Sequence, residues 1–210
     1  MLPLHIRGVA TRELTADLFI SLDGFASGVD QPPYFGYFGP DLESWVREHL
    51  ARPQLIIMGR VTYEALAQFV PSATDEVSAR MNALPKLVFS STLAEPLAWK
   101  NARLVKRAAS DEIRELKQQR GNPLRSIGSV SLMKSMIQLG LVDRLRLMVF
   151  PLILGSAGRE PIYAGYQQTG LELINTKILD SRIILLEYLP LRHPTSQRLG
   201  PFLASTPRLR

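Results

Sequence analysis

Short apolar runs alternate with amphipathic segments along most of the chain, and this alternation predicts its secondary structure. The apolar runs predict strands at 14–22, 55–58, 87–89, 125–127 and 143–150, with an edge strand at 103–105. Two more strands, at 172–179 and 182–189, are separated only by Asp180 and Ser181, which is typical of an antiparallel hairpin.

Helical periodicity fills the segments between these strands. One helix presents an apolar face made of Leu42, Trp45, Val46, His49 and Leu50. A later helix presents Leu132, Met133, Met136, Ile137 and Leu139. A helix after Gly59 turns Tyr63 inward, and a charged helix is expected to begin with Ser110 as its N-cap. Strands that alternate with helices predict an α/β domain whose sheet is parallel in the middle and antiparallel at its end.

The two termini lack this periodicity and carry most of the net charge. The 210 residues include 25 Lys and Arg against 19 Asp and Glu, a formal net charge of +6. Residues 1–13 hold two arginines and one glutamate, and residues 191–210 hold four arginines and no acid. We therefore expect a peripheral extension at 1–13, a nearly neutral domain at 14–190 and a flexible Arg- and Pro-containing tail at 191–210. The neutral domain does not favour a nucleic-acid partner.

Composition excludes several classes of site. The chain has no cysteine, and its three histidines, His5, His49 and His193, lie far apart. A disulfide scaffold, a thiol nucleophile and a cysteine-based metal site are therefore excluded, and no metal-ligand spacing is present. Neither a run of roughly 20 apolar residues nor a signal peptide is present, so we expect a cytoplasmic protein without a membrane partner.

Three predicted strand ends carry small or hydroxylated residues, and they are the candidate binding site. These residues are Gly59, Arg60 and Thr62, then Ser90, Ser91 and Thr92, and finally Gly128, Ser129 and Val130. Ligands of open α/β sheets bind beyond the carboxyl ends of parallel strands. Two of the turns lead into helices, whose free backbone N–H groups favour a phosphate or pyrophosphate. A glycine at such a turn also serves as a purely structural device, so each turn alone leaves both interpretations open.

These motifs, taken in order, resemble a known family. They are Ser21-Leu22-Asp23-Gly24, Met58-Gly59-Arg60-Val61-Thr62-Tyr63-Glu64, Val88-Phe89-Ser90-Ser91-Thr92-Leu93, Gly128-Ser129, and Gly140-Leu141-Val142-Asp143 followed by Pro151-Leu152-Ile153-Leu154-Gly155. Over about residues 14–189 the chain is similar to dihydrofolate-reductase-like proteins related to the C-terminal reductase domain of the riboflavin-pathway deaminase/reductase. The resemblance implies a three-layer α/β fold that binds NADPH and reduces a pterin- or pyrimidine-like heterocycle.

The resemblance also implies roles for the strand-end residues. It places Gly59, Arg60, Thr62, Gly128 and Ser129 at the pyrophosphate, with Val130 beside them, and Ser90, Ser91 and Thr92 at the adenosine. Relatives commonly carry an arginine where this chain has Ser91, and a second glycine where it has Ser129. NADPH and NADH therefore both stay open as the cofactor, although Lys106 and Arg107 supply charge nearby.

Asp23 is the candidate catalytic acid, and Asp23 and Phe25 are candidate substrate contacts. Asp23 ends a strand beside a loop rich in glycine and aromatic residues, which is able to cover a flat ring. The alternatives are that Asp23 only forms a turn and that the aromatic residues only pack the loop.

Two functions follow from these residues. One is an NAD(P)H-dependent reductase of a small heterocycle, and the other is a nucleotide-binding regulatory module with little turnover. A homodimer is a further expectation, because the C-terminal hairpin offers an edge or a face.

Overall fold

The computed structural model describes residues 12–191, which contain ten strands and five α-helices. The first half contains β1 (Leu14–Ser21), β2 (Phe25–Gly28), α1 (Pro40–Ala51), β3 (Leu55–Gly59), α2 (Arg60–Ala67), α3 (Glu76–Ala83), β4 (Lys86–Phe89) and β5 (Ala102–Val105). The second half contains α4 (Ala109–Gln118), β6 (Leu124–Ile127), α5 (Val130–Gln138), β7 (Arg144–Phe150), β8 (Gly158–Pro161), β9 (Leu171–Leu179) and β10 (Ile183–Pro190). The predicted extension and tail lie almost wholly outside the described residues.

Eight strands form one sheet in the order β5-β4-β3-β6-β1-β7-β10-β9. Neighbouring strands from β5 to β7 are parallel, whereas β10 is antiparallel to both β7 and β9. This arrangement confirms the predicted mixed sheet with a parallel centre and an antiparallel C-terminal hairpin. The remaining strands, β2 and β8, form a separate antiparallel ribbon.

Helices cover both faces of the sheet and produce three layers. Because side chains alternate along a strand, β1 sends Leu18 into one core and Phe19 towards the other. The first core contains Ile113 of α4 and Met133 of α5. The second core contains residues of the other three helices, among them Leu42 of α1, Tyr63 of α2 and Met81 of α3. The carboxyl ends of the parallel strands are thereby fixed at one edge of the molecule.

The structure corrects several predicted boundaries. The first strand ends at Ser21 instead of at residue 22, and the expected loop from residue 28 contains a 3-10 turn at Pro33–Gly36. Ser110 is not the N-cap of α4, because the helix begins at Ala109 and the Ala108 carbonyl already accepts the Asp111 amide at 3.1 Å. None of the helices among residues 12–191 is long and apolar enough to cross a membrane.

Candidate functional site

Two adjoining cavities lie at the carboxyl edge of the parallel strands. The outer cavity, of about 500 Å³, is lined by Arg60, Phe89, Ser90, Ser91, Thr92, Val105, Lys106, Arg107, Ala108 and Ala109. The inner cavity, of about 230 Å³, is lined by Gly59, Arg60, Val61, Thr62, Phe89, Ser129, Val130, Ser131, Leu132 and Glu160. Because Arg60 and Phe89 line both, the two cavities form one crevice.

The crevice gathers the predicted cofactor residues from three separate turns. Eight of the nine line one of the two cavities, and the ninth, Gly128, lies directly behind Thr62. Gly128 has φ +58°, and a Cβ added to it would lie 3.2 Å from Thr62 Oγ1. Both the positive φ and this close approach favour glycine at this turn.

Ser129 joins the two turns of the inner cavity. Its Oγ accepts a hydrogen bond from the Gly59 amide at 2.8 Å and lies 3.1 Å from Thr62 Oγ1. Its own amide donates to Thr62 Oγ1 at 3.0 Å. The Gly59 amide is therefore occupied, which corrects the expectation that it is free for a phosphate. The first turns of α2 and α5 have no side-chain cap, so their amides are the donors that remain for an anion.

The cations of the outer cavity differ in how strongly carboxylates hold them. Arg107 pairs with Glu112 and Glu115, and these hydrogen bonds raise the pKa of its guanidinium. Arg60 pairs with Glu64 at 2.8 Å. Lys106 is exposed and forms no ion pair with any residue between 12 and 191. Lys106 is thus the cation most available to an anionic group in this cavity.

Asp23 has a clear structural role at the end of β1. Its carboxylate accepts Ser21 Oγ at 2.6 Å, the Leu154 amide at 3.1 Å and the Gly155 amide at 2.8 Å. The Ser21 hydrogen bond, followed by those from the two amides, lowers the pKa of Asp23. The Asp23 turn therefore anchors the Pro151–Gly155 segment, and two motifs that lie far apart in the sequence touch each other. A lowered pKa favours the ionised carboxylate, the form that accepts these three hydrogen bonds.

The aromatic residues that follow β1 mostly pack the fold. Tyr34 lies 5.4 Å from Phe19 between ring centroids, and Phe35 lies 5.3 Å from Phe150, so both rings belong to the second core. Phe25, the predicted substrate contact, is half-buried on β2, and its ring lies against Gly158 of β8. The packing interpretation fits Tyr34 and Phe35, whereas a substrate contact by Phe25 stays a prediction.

Glu160 is a residue of the crevice that the sequence did not reveal. It lies on β8, its carboxylate accepts Ser27 Oγ from β2 at 3.1 Å, and it lines the inner cavity. The β2–β8 ribbon is therefore one wall of the site. Glu160 follows the Pro151–Gly155 motif closely in the chain, but no local pattern distinguishes it from an ordinary exposed glutamate. Among residues 12–191, no group of His, Asp and Glu side chains is arranged to hold a metal ion.

Comparison with known proteins identifies the family. The RibD C-terminal domain matches residues 12–185 of this chain. The uncharacterized protein YyaP of Bacillus subtilis (strain 168) is 27% identical over 183 residues, which cover 84% of this chain and 94% of that protein.

Solved structures share the fold at low sequence identity. A putative riboflavin biosynthesis protein from Shewanella sp. PV-4 is 20% identical with a TM-score of 0.64, over 86% of this chain and 99% of that one. A diaminohydroxyphosphoribosylaminopyrimidine deaminase/5-amino-6-(5-phosphoribosylamino)uracil reductase from Thermotoga maritima is 14% identical with a TM-score of 0.61, over 86% of this chain and 57% of that one. The RibD C-terminal domain match covers most of the chain, and the chain therefore belongs to the RibD C-terminal domain family.

Proposed function

We propose that this chain is an NAD(P)H-dependent reductase of a pterin- or pyrimidine-like heterocycle. Membership of the RibD C-terminal domain family supports a reductase. The observation that supports binding of NAD(P)H is the crevice, where three strand-end turns converge on two adjoining cavities. NAD(P)H, when bound, supplies the hydride, and the chain supplies binding, orientation and the surrounding charge.

The residues of the crevice fit a dinucleotide in a defined direction. The uncapped first turns of α2 and α5, together with Thr62 Oγ1, suit the pyrophosphate in the inner cavity. The outer cavity, with Ser91, Thr92 and Lys106, suits the adenosine. The heterocycle then lies towards the end of β1 and the β2–β8 ribbon, where Asp23 and Phe25 are found. In this arrangement Asp23 positions the Pro151–Gly155 segment instead of donating a proton.

Thermal unfolding in the presence of nucleotide tests cofactor binding. We expect millimolar NADPH or NADH to raise the melting temperature of the unsubstituted chain, because a ligand that binds only the folded state stabilises it. Gly59→Asp should abolish this shift, since a carboxylate at that turn repels the pyrophosphate. The fold has room for the side chain, because a Cβ added to Gly59 lies 3.8 Å from its nearest neighbour, Ser129 Oγ.

The controls separate charge from bulk. Gly59→Asn places a neutral side chain of nearly the same size at the turn and should retain part of the shift. Equal loss with Asn and Asp would mean that bulk, not charge, blocks the site. The absence of a shift with either nucleotide in the unsubstituted chain would overturn the proposal.

A nucleotide-binding regulatory module with little turnover is the second candidate. The hydrogen bonds that occupy Asp23 favour it, because the expected proton donor is held as a carboxylate. Stoichiometric oxidation of NADPH with any of a panel of pterins, aminopyrimidines and their ribosyl derivatives would exclude this candidate. Cofactor binding without oxidation across the panel would favour it.

If turnover is found, its pH dependence tests the role of Asp23. Asp23→Asn should lower kcat at every pH without removing either limb of the pH profile, because a positioning residue does not titrate in the reaction. Loss of one limb would show that Asp23 itself transfers the proton.

A further inference from the structure

The inner cavity has walls of opposite chemical character. The starts of α2 and α5 and the hydroxyl of Thr62 present hydrogen-bond donors and the positive ends of two helices. Glu160 adds a carboxylate to the same cavity. Among the described residues that line either cavity, Glu160 is the only acidic one. A carboxylate repels a phosphate at short range, so the cavity is not built for a phosphate group alone.

The β2–β8 ribbon holds Glu160 at this position. Ser27 pairs with Arg159 and Phe25 with Pro161 in the ribbon, and Ser27 Oγ donates to Glu160 Oε2 at 3.1 Å. The backbone of Glu160 has φ +54°, a conformation that a glutamate seldom adopts. Such a conformation is unfavourable for a residue with a side chain and persists where the surrounding structure enforces it.

The carboxylate keeps hydrogen-bonding capacity for a ligand. A carboxylate offers about four lone-pair positions on two oxygens, and the Ser27 hydrogen bond uses Oε2 only. Within residues 12–191 Glu160 forms no ion pair, and Arg60, which lines the same cavity, pairs with Glu64 at 2.8 Å. A ligand that satisfies both walls therefore carries hydroxyl donors directly beside its phosphates.

We infer that Glu160 accepts hydrogen bonds from the hydroxyls of the ribose that follows the pyrophosphate on the side away from the adenosine. This inference rests on the proposed function, since it uses the direction of the dinucleotide along the crevice. The adenosine occupies the outer cavity and the pyrophosphate lies at α2 and α5, so the second ribose is the sugar that reaches Glu160. Glu160 is thus a specificity-determining residue that distinguishes a dinucleotide from a mononucleotide diphosphate.

The probes for this inference are ADP-ribose and ADP, which differ by the second ribose. In Glu160→Gln we expect ADP-ribose to bind about tenfold more weakly, the loss typical of a hydrogen bond to a charged group. ADP should bind unchanged or about threefold more tightly, because the variant removes a charge that repels the pyrophosphate. Titration calorimetry on the full chain gives both affinities.

Two further variants serve as controls for backbone strain and for a general loss of charge. Glu160→Gly also lacks the carboxylate but relieves the positive φ, so it should fold at least as stably and show the same loss for ADP-ribose. Glu48→Gln, an exposed glutamate of α1 that pairs with Arg52, should change neither affinity. An equal loss of ADP-ribose affinity in Glu160→Gln and Glu160→Gly would assign the loss to the missing carboxylate and not to a change in backbone strain.

Three outcomes would overturn the inference. If both probes bind more tightly to Glu160→Gln, the carboxylate only repels the pyrophosphate and accepts no hydrogen bond from the ribose. If neither affinity changes, Glu160 does not touch the ligand. If the unsubstituted chain binds neither ADP-ribose nor NADPH, the proposed function itself fails, and the inference fails with it.

Discussion

Ser129 occupies a left-handed backbone conformation, with φ +60°, that a glycine adopts more easily. Its side chain explains why a serine is useful there, because Oγ connects Gly59 and Thr62 across two turns of the crevice. At the residue scale, the cavity therefore combines a small conformational cost with a hydrogen-bonded link that holds its shape.

Two substitutions of Ser129 separate these effects. Ser129→Gly removes the hydroxyl but also relieves the positive φ, so we expect stability to change by less than about 1 kcal/mol. Ser129→Ala removes the hydroxyl and keeps the strain, so it should lower the free energy of unfolding by about 1–2 kcal/mol. Both should weaken NADPH binding about five- to tenfold, because the Gly59 amide loses its acceptor and only the Ser129 amide still joins the two turns. Denaturant unfolding and calorimetry measure the two quantities, and unchanged NADPH affinity in Ser129→Gly would contradict the linking role.

Lys86 is a buried cation with 1% of its surface exposed. It begins β4 and so lies at the amino ends of the parallel strands, away from the crevice. Its Nζ donates to the Leu84 carbonyl at 2.7 Å and lies 4.7 Å from the centre of the Trp99 ring. Burial lowers the pKa of Lys86 from 10.5 to about 8. The folded chain therefore releases this proton at lower pH than the unfolded chain does.

The sign of the resulting pH dependence follows from proton binding. Between about pH 8 and 10.5 the unfolded chain binds this proton and the folded chain does not, so stability rises with pH. The contribution has a slope of at most ~1.4 kcal/mol per pH unit. Lys86→Met should remove this rise, whereas Met at the exposed Lys100 should leave it intact. Urea unfolding across this range measures the slope, and identical slopes in Lys86→Met and the unsubstituted chain would exclude the linkage.

At the residue scale, the sequence predicts the parts of the candidate site whose chemistry is local. Glycines and hydroxyls at strand ends, such as Gly59 and Ser90, stand out in the sequence and do line the crevice. The contacts that shape the site join residues far apart, since Ser129 lies 70 positions from Gly59 and Asp23 lies 132 positions from Gly155. No local pattern encodes such partners, which is why the sequence does not show that Asp23 anchors the Pro151–Gly155 segment and does not reveal Glu160.

At the scale of elements, α1 is capped by a residue of the C-terminal hairpin. Asp180 in the β9–β10 turn accepts the amides of Asp41 and Leu42 at 2.8 and 3.2 Å, and its own amide donates to Asp41 Oδ2 at 2.9 Å. The helix start and the hairpin turn thus satisfy each other's backbone groups. The connection has three residues, 180–182, instead of the predicted two, because Leu179 pairs with Ile183. Asp180 and Ser181 both have positive φ in this turn.

This reciprocal cap gives a prediction about stability. Asp180→Ala should lower the free energy of unfolding by about 1–2 kcal/mol, because two amides at the start of α1 lose their acceptor. Ser181→Gly, next to it in the turn, should raise the same quantity by about 0.5–1 kcal/mol, because glycine adopts positive φ without strain. Denaturant unfolding measures both changes. A loss in Asp180→Ala no greater than a few tenths of a kcal/mol would show that the cap is not stabilising.

Elements are predictable where burial imposes a periodic pattern. The parallel strands and the apolar faces of α1 and α5 are largely buried, so their sequences carry the pattern. Leu139, which the pattern assigns to the apolar face, lies just beyond α5 and is 49% exposed. By contrast, α3 buries only Ser78 and Met81, and β8 is largely exposed, so neither leaves a periodic trace. The predicted N-cap of α4 is wrong because the helix begins at Ala109 with Ala108 as its N-cap, and no side chain caps it.

At the scale of the whole molecule, the two ends of the sheet differ in their covering. The parallel half is enclosed by helices on both faces, whereas β9 is an edge strand exposed along eight of its nine residues. On one face of the hairpin, Ile178 lies opposite Ile184 and Leu173 opposite Tyr188. This apolar face continues the first core beyond the edge of the helices, since Leu186 and Tyr188 pack against that core.

This exposed apolar sheet face is the surface through which we expect the homodimer to form. Ile178 and Ile184 are 67% and 43% exposed, which is unfavourable for a monomer in water, and a second copy presents the same surface across a two-fold axis. We expect Ile178→Lys to convert a dimer into a monomer, because each interface would then bury two like charges near the axis. Lys177→Gln alters the neighbouring residue on the opposite face of β9 and should leave the dimer intact.

Light scattering during size-exclusion chromatography measures the mass of each variant. NADPH binding by a monomeric Ile178→Lys would show that the crevice is complete within one chain. A monomeric mass for the unsubstituted chain at every concentration would refute the dimer, and equal masses for all three proteins above the monomer would place the interface elsewhere.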